Sequence, residues 1–332
     1  LCCGGLRAQS TFDTLLDTHF YLYAGPPAAL GPKTQANMGL QLRAFHAACV
    51  SAGVSNPSDT TYYAGSGINL IRWGTGTLSI VGGTDPDNSI LIVTANTGTA
   101  ATGTCSADDS SVYACGGNGS NSLLGSAGGN ASATNTGGSS GIAQAWGGHA
   151  GASALFSHDG GSAYAQCDAG FASAIGGNAY TGRGGSAQAI AYLGAGATGG
   201  STTGAGGTGG WAYAFTVTYS GGSAYGARAY GGTSTGSGSA GGDAEAESSA
   251  HGAWAEGGDG VARGGDAIAT GDTYAEAHAG DTTGSSGVGG TATATADSND
   301  AWAYGGTSTG SGSAGGMALA ESLNGYASAY WG

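Results

Sequence analysis

Alanine recurs at every second position in short segments throughout residues 102–332, the pattern of a β-strand with one buried face. The repeated unit is xAxA, a short turn, AxAx, a Gly-Gly pair and a glycine-rich connector, as in Thr291–Gly306 (TATATADSNDAWAYGG). Units begin at Thr102, Asn130, Ser162, Ser186, Trp211, Asp243, Asp266, Thr291 and Met317. About nine units of roughly 25 residues predict a solenoid or another repeat array.

The predicted inner face of the strands is almost entirely alanine, so we expect a thin core lined by methyl groups. The Gly-Gly pairs are expected to supply positive φ at tight corners and to let neighbouring backbones approach. The connector AYGGTSTGSGSAGG occurs identically at Ala229–Gly242 and Ala303–Gly316. Periodicity leaves open whether the strands form a β-solenoid or stacked hairpins. It also leaves open whether the connectors form a third side or a polyproline-II-like return.

Residues 1–101 have a more varied pattern. Apolar residues at three- and four-residue spacings predict an amphipathic helix over 33–53. Runs of β-branched and aromatic residues predict strands at Thr61–Ala64, Ile68–Trp73, Leu78–Val81 and Ile90–Thr94. We therefore predict a mainly β protein with an extended arm over 1–10, a small α+β domain over 11–101 and a Gly/Ala-rich β-repeat domain over 102–332.

The charge balance excludes some classes of partner. The 332 residues include 7 Lys and Arg against 21 Asp and Glu, a net charge of -14. This leaves no electrostatic footprint for nucleic acid. No apolar run approaches the roughly 18–20 residues of a membrane helix, so no membrane span is expected. The sequence starts at Leu1, and we expect removal of a secretory signal and an extracellular location.

The six cysteines show neither a CxxC pair nor zinc-site spacing, which favours disulfides formed outside the cell. Cys105 and Cys115 bracket the turn of the first repeat and predict a cross-strand disulfide, with buried thiols as the alternative. Cys2 and Cys3 are adjacent and need other partners. These partners are either in a second subunit or at Cys49 or Cys167 of the same chain.

Several aromatic residues fall on the predicted outer faces and are candidates for subunit packing or for stacking on sugars. They are Trp146, Trp211, Trp254, Trp302, Tyr304, Tyr330 and Trp331. Asn118 and Asn130 begin glycosylation sequons on glycine-rich turns.

The chemistry of a cofactor or catalytic site is weakly represented. Aspartates near glycines hint at calcium, but the nonapeptide of calcium-binding β-rolls is absent, and no other cofactor is expected. These aspartates are Asp259, Asp266, Asp272 and Asp281. The six histidines are scattered, and no nucleophile motif or metal-binding pair appears, so we predict that the protein is not an enzyme.

The Gly/Ala-rich tail and the xAxAxG rhythm of Asp259–Asp281 resemble bacterial surface adhesins and fibre proteins, including the heads of trimeric autotransporters. That family's coiled-coil stalk is absent. The resemblance implies surface display, stability and adhesion without catalysis. Thr-x-Thr at Thr291–Thr295 and Thr233–Thr235 is similar to the threonine arrays of ice-binding solenoids.

A solenoid has two open ends, and addition of a second copy to an open end produces a filament. We therefore expect a structural subunit of an extracellular filament, fibre or sheath that assembles head-to-tail. The alternative is a cell-surface adhesin that binds a glycan, a host or a mineral surface, with ice binding as a minor possibility.

Overall fold

A computed structural model describes residues 60–62, 71–81, 89–95, 97–138, 141–152, 156–217 and 226–332. The described residues form an all-β solenoid of about nine turns. The strands are β1 Thr60–Tyr62, β2 Ile71–Thr75, β3 Thr77–Ile80, β4 Ile90–Thr94, β5 Ala101–Cys105, β6 Ser111–Cys115, β7 Ala131–Asn135, β8 Ile142–Trp146, β9 Ala163–Cys167, β10 Phe171–Ile175, β11 Ala187–Ala191, β12 Gly194–Thr198, β13 Ala212–Thr216, β14 Ala227–Tyr230, β15 Ala244–Ser248, β16 Gly252–Glu256, β17 Ala267–Gly271, β18 Tyr274–His278, β19 Ala292–Ala296, β20 Ala301–Tyr304, β21 Ala318–Ser322 and β22 Ala327–Tyr330.

The strands form two sheets. Sheet A contains β1 and the even-numbered strands, and sheet B contains the odd-numbered strands from β3 to β21. Each strand pairs in parallel with the equivalent strand of the neighbouring turn, and only β1 is antiparallel to its partner β2. The two strands of one repeat therefore lie in different sheets. This excludes stacked hairpins and confirms the predicted β-solenoid.

The core lies between the sheets and consists mainly of alanine. Strands pair in register, so Ala187 lies beside Ala212 and Ala189 beside Ala214, and the inner methyl groups form continuous columns. Larger side chains enter only near the N-terminal turns, where a Cβ on Gly103 would lie 2.8 Å from a methyl group of Val112. The predicted methyl-lined core is confirmed, and Gly103 leaves room for the larger side chains of Val112 and Val93.

Glycines of the Gly-Gly pairs form a hydrogen-bonded column along the solenoid. Each amide donates to the carbonyl of the preceding glycine, as from Gly200 to Gly185 and from Gly210 to Gly200, both at 2.8 Å. A Cβ on Gly200 would lie only 2.0 Å from the Gly177 carbonyl oxygen. This glycine column comprises Gly117, Gly129, Gly148, Gly161, Gly177, Gly185, Gly200, Gly210, Gly232, Gly242, Gly258, Gly265, Gly280, Gly290, Gly306, Gly316 and Gly332.

The expected positive φ at the Gly-Gly pairs is wrong. Glycines with positive φ among the described residues lie elsewhere, and those of the two identical connectors are Gly238 (φ 71°) and Gly312 (φ 74°). The pairs need glycine because backbone atoms of neighbouring turns occupy the space that a Cβ would take. The expected close approach of neighbouring backbones is therefore confirmed.

Connectors stack on one another through isolated parallel bridges, which makes them a third side without a continuous sheet. Their buried residues are hydroxyl-bearing: Thr202 Oγ1 and Ser234 Oγ lie 2.6 Å apart, and Thr282 Oγ1 donates to Ser308 Oγ at 2.8 Å. Each turn therefore encloses an alanine-filled part and a small hydroxyl-filled part, separated by the glycine column.

The N-terminal region is described only in part. The predicted arm over 1–10 and the predicted helix over 33–53 lie outside the described residues, as do most of residues 11–70. β1 to β4 lie at or close to the predicted strand runs. Composition changes near residue 101, but β3 and β4 continue both parallel sheets across that position. None of the described residues forms a helix that is long and apolar enough to cross a membrane.

Candidate functional surfaces

Four rings stack along the outer face of sheet A and form what we call the aromatic ladder: Trp254, His278, Tyr304 and Tyr330. Successive ring centroids lie 5.0, 4.4 and 5.0 Å apart, with interplanar angles of 19°, 15° and 6°. His278, Tyr304 and Tyr330 are in-register partners on neighbouring strands, one strand spacing apart, whereas Trp254 pairs with Glu276 and reaches His278 diagonally. The rings cover one another's faces, so their edges point to solvent.

Other aromatic rings extend this surface towards the last turn. Trp302 packs against Tyr326 and stacks on Tyr330, with centroids 5.5 and 6.4 Å apart. Trp331 is 79% exposed beside them. Most of the exposed aromatic area of sheet A therefore lies at the C-terminal end of the solenoid.

Glu276 provides the polar partner of the aromatic ladder. Its Oε1 lies 2.7 Å from His278 Nε2, and the hydroxyl of Tyr274 donates to its Oε2. Burial, followed by the hydrogen bond to Glu276, raises the pKa of Tyr274, so this phenol stays neutral through the physiological range. The side chain of Glu276 is thereby held against the aromatic surface.

A groove of about 410 Å³ separates the aromatic ladder from the connectors. Its lining includes Glu256, Asp259, Asp281 and Trp331. Asp259 Oδ1 accepts from the Asp281 amide at 2.8 Å, and Asp281 Oδ1 accepts from the Thr307 amide at 2.7 Å. The groove is therefore acidic on one wall and aromatic on the other.

The aspartates proposed for calcium act as structural acceptors. Asp266 Oδ1 accepts from the Thr291 amide at 2.8 Å, and Asp272 Oδ1 accepts from the Ser298 hydroxyl at 3.2 Å. Within the described ranges, no three His, Cys, Asp or Glu side chains are grouped as a metal site would require. Calcium binding stays a prediction from sequence without a site in this part of the chain.

The predicted outer aromatic residues divide into three groups. Five of them come together near the last turns of sheet A: Trp254, Trp302, Tyr304, Tyr330 and Trp331. Trp146 is only 5% exposed and stacks on Tyr113, with centroids 6.4 Å apart. Trp211 lies on sheet B, where it stacks on Tyr213 at 5.6 Å. Sequence reasoning missed His278 and Tyr326, although His278 occupies the same place in its repeat as Tyr304.

The predicted disulfide between Cys105 and Cys115 is wrong, because both residues are buried thiols in different sheets. Cys105 faces the core from sheet B, whereas Cys115 lies in an outward register position of sheet A beside Trp146. Cys167 is also a buried thiol, and burial raises its pKa, which keeps it protonated. Cys2, Cys3 and Cys49 lie outside the described residues.

Asn118, Asn130, Thr233 and Thr235 are exposed, whereas Thr291, Thr293 and Thr295 are half-buried. Asn118 Oδ1 and Asn130 Oδ1 accept from the amides of His149 and Ser162, both at 2.9 Å. Glycosylation there stays a prediction. On sheet B, Thr293 lies between Ile268 and Leu319, and Thr295 lies between Thr270 and Glu321. The threonine column therefore extends over two strands at Thr270 and Thr295, and Glu321 ends it.

Two carboxylates lie side by side on the outer face of sheet B. Burial, together with the charge of Glu247, raises the pKa of Glu245 above its ordinary value of 4.5. The hydroxyl of Tyr213 donates to Glu247 Oε2 at 3.1 Å, and burial with Glu247 nearby raises the pKa of Tyr213 to about 12. The charged form of Glu245 is therefore disfavoured in the folded state.

We expect Glu245→Gln to raise the free energy of unfolding near pH 7 by up to about 1 kcal/mol, since the pair is partly exposed and screened. A carboxyl whose pKa is raised by folding destabilises the fold above that pKa, and this cost disappears as the pH falls through it. The advantage of the variant should therefore be present near pH 7 and largely lost near pH 4. Urea unfolding at both pH values measures it.

Glu321→Gln is the matched control, because Glu321 occupies the outward register column of Glu247 and is exposed. Its free energy of unfolding should change by less than about 0.5 kcal/mol. An equal gain for Glu245→Gln at both pH values would contradict the electrostatic explanation.

Comparison with known proteins gives no relative. No family model matches the chain, and no curated protein or solved structure is significantly similar to it. The resemblance to bacterial adhesins and fibre proteins therefore stays a prediction from the residues, and function has to be argued from the surfaces described above.

Proposed function

We propose that the chain is a structural subunit of an extracellular filament, fibre or sheath in which copies add along the solenoid axis. The observation that carries this proposal is a cluster of exposed large apolar side chains at the last turn, which we call the end face. Exposed apolar clusters of this kind are typical of interaction sites. The end face comprises Met317, Leu319, Leu323, Tyr326, Tyr330 and Trp331, which are 48–79% exposed.

The outer edges of β21 and β22 can accept another strand pair. Within the described chain, β21 pairs only with β19, and β22 pairs only with β20. Unpaired amides and carbonyls along such edges are templates for further pairing. Ala327 and Ala329 are exposed at inward-facing positions, whereas Ala301 and Ala303, one turn earlier, are fully buried. A second copy would bury the exposed alanines in the same way.

The first and last strands of the described solenoid differ. Among the described residues, sheet A starts with antiparallel β1 and sheet B with β3, while the last strands are β22 and β21. A head-to-tail contact would place β22 beside β1 and β21 beside β3. Such a heterologous contact repeats without closing and gives a filament, whereas contact between two end faces stops at a dimer.

Negative-stain electron microscopy and light scattering of the 332-residue chain test this proposal. We expect filaments for the parent, and discrete particles for Leu319→Asp, because a charge that replaces an apolar contact on the edge strand β21 opposes pairing with a further strand. Ile268→Asp is the matched control, since Ile268 is an exposed apolar residue in the same outward column two strands away. It should leave the filaments intact.

Three results would contradict the proposal. Monodisperse monomers of the parent would exclude self-assembly, and dimers without filaments would exclude head-to-tail addition. Loss of filaments with reductant but not with Leu319→Asp would assign the contact to cysteines instead of to the end face.

An adhesin is the second candidate, and the acidic and aromatic groove beside the aromatic ladder favours it. Because the ring faces are covered, a ligand there would meet ring edges and the carboxylates of Glu256, Asp259 and Asp281. Retention of a monomeric chain on a glycan or mineral surface, lost on replacing Asp281 by Asn, would support this function.

A further inference from the structure

A second groove crosses the outer face of sheet A, several turns from the end face. Its volume is about 210 Å³, and its lining includes Gln144, Phe171, Ser173, Gly196 and Arg228. Gln144, Ser173, Gly196 and Arg228 occupy equivalent positions in four consecutive strands. Their backbones therefore span about 14 Å, at roughly 4.8 Å per strand.

The groove exists because two outward positions of β12 are glycines and carry no side chains. Gly194 and Gly196 occupy outward positions of β12, where other strands of sheet A carry residues such as Phe171 and Trp254. A Cβ on Gly196 would meet nothing within 4 Å. The backbone of β12 continues its regular parallel pairing, so the groove is a gap in the side-chain layer and not a break in the sheet.

Gln144 forms one end of the groove and has an unmet hydrogen-bonding requirement. Its side chain is only 8% exposed, and its Oε1 is fully buried without a hydrogen-bond partner in the described structure. Buried amide oxygens normally have a partner. A half-turn about the last side-chain torsion would exchange the amide oxygen and nitrogen, so either can face the groove. With Oε1 turned towards the groove by this rotation, the oxygen would accept a hydrogen bond from a hydroxyl of a bound ligand.

Arg228 forms the other end of the groove, and its positive charge has no acidic partner among the described residues. Its guanidinium is exposed and forms no ion pair with any described residue, although the chain has 21 acidic residues against 7 basic ones. Guanidinium groups bind carboxylates through two parallel hydrogen bonds. Between the two ends, the hydroxyl of Ser173 can donate or accept, and Ile142 and Phe171 provide an apolar wall.

We propose that this groove binds a carboxylated sugar, which goes beyond the assembly function. Ring hydroxyls would donate to Gln144 and exchange hydrogen bonds with Ser173, the carboxylate would bind Arg228, and the apolar face of the ring would lie against Phe171 and Ile142. Such a small set of fixed polar groups on an apolar wall is typical of small-molecule sites. Chloride and sulfate lack a hydroxyl donor, and a neutral sugar lacks the carboxylate that would bind Arg228.

The test uses the non-assembling Leu319→Asp chain, so that its outcome does not depend on filament formation. The probes are the methyl glycosides of glucuronate, galacturonate and N-acetylneuraminate, compared with methyl glucoside and methyl galactoside, titrated by ligand-observed NMR. We expect at least one acidic glycoside to bind ten-fold or more tightly than the neutral glycosides. Arg228→Gln should abolish that preference.

A Cβ at Gly196 meets nothing within 4 Å, so Gly196→Val is expected to occupy the groove and to weaken binding at least ten-fold, with an unchanged circular dichroism spectrum. Thr270→Val, on the outer face of sheet B, is the matched control and should leave binding unchanged. Arg228→Gln changes an exposed side chain to another polar one and decides the question if Gly196→Val affects folding.

Absence of binding by all three acidic glycosides would overturn the proposal. So would binding that survives both Gly196→Val and Arg228→Gln, because the site would then lie elsewhere. A change in oligomeric state on Arg228→Gln, without sugar binding, would assign the groove to a carboxylate of a second copy and would also overturn it.

Discussion

Replacement of Gly200 by alanine is expected to lower the free energy of unfolding by roughly 3 kcal/mol or more, or to prevent folding. The added Cβ would lie 2.0 Å from the Gly177 carbonyl oxygen and 2.8 Å from the Gly185 amide nitrogen. Both atoms are backbone atoms held in the glycine column, so neither can move aside like a flexible side chain. Thermal and urea unfolding of the purified variant measure the effect.

Gly196→Ala is the matched control, four residues earlier in the same turn. A Cβ there meets nothing within 4 Å, and alanine in a strand interior is favoured over glycine by about 0.5–1 kcal/mol. The same chemical change should therefore stabilise the protein at one site and strongly destabilise it at the other. Equal effects of the two substitutions would show that the glycine column is not packed as described.

Replacement of Ala246 by leucine should lower the free energy of unfolding by about 3 kcal/mol. Ala246 is fully buried in the middle of β15, in register with Ala214 and Ala269. Three additional carbon atoms would have to force the sheets apart against the in-register pairing of neighbouring turns. Urea denaturation provides the measurement.

Thr270→Leu tests the alternative that leucine is unfavourable anywhere in these strands. Thr270 lies on the adjacent strand β17 and faces solvent, so the change should stay within about 0.5 kcal/mol. The expected cost at Ala246 would be refuted if both variants unfolded at the same urea concentration. Larger core side chains do occur near the N-terminal end, where Gly103 lies opposite them. Because Gly103 has no Cβ, the side chains of Val112 and Val93 fit between the sheets.

The strands and their inner faces could be predicted from sequence, because alanine at every second position identifies the residues that share one face of a strand. From Asn130 onward, each predicted unit begins one residue before an observed strand. Alternation does not state which strand pairs with which, so hairpins and a solenoid were equally compatible with it. The glycine column could not be predicted from the sequence either, because its glycines become neighbours only when successive turns stack.

The surfaces were predicted less completely, for a similar reason. His278 belongs to the aromatic ladder because it is the last residue before its pair Ala279-Gly280, as Tyr304 is before Gly305-Gly306. Aligning the repeats on these pairs would have revealed it. Counting alternation within each strand would also have separated Cys105, on an inward position, from Cys115, on an outward one. The gap above Gly196 depends on neighbours from several turns and has no local sequence signal.

The glycine column is one of two hydrogen-bonded columns that each closing pair contributes. The Gly200 amide donates back to Gly185, whereas the Gly199 amide donates forward to Tyr230, and Gly210 and Gly209 behave in the same way. Because the two amides of a pair point in opposite directions along the axis, their dipoles largely cancel, as in other sheets. Each pair instead joins its turn to both neighbouring turns. A second copy that continued the solenoid would have to extend both columns at once, which would fix its rotation about the axis as well as its direction.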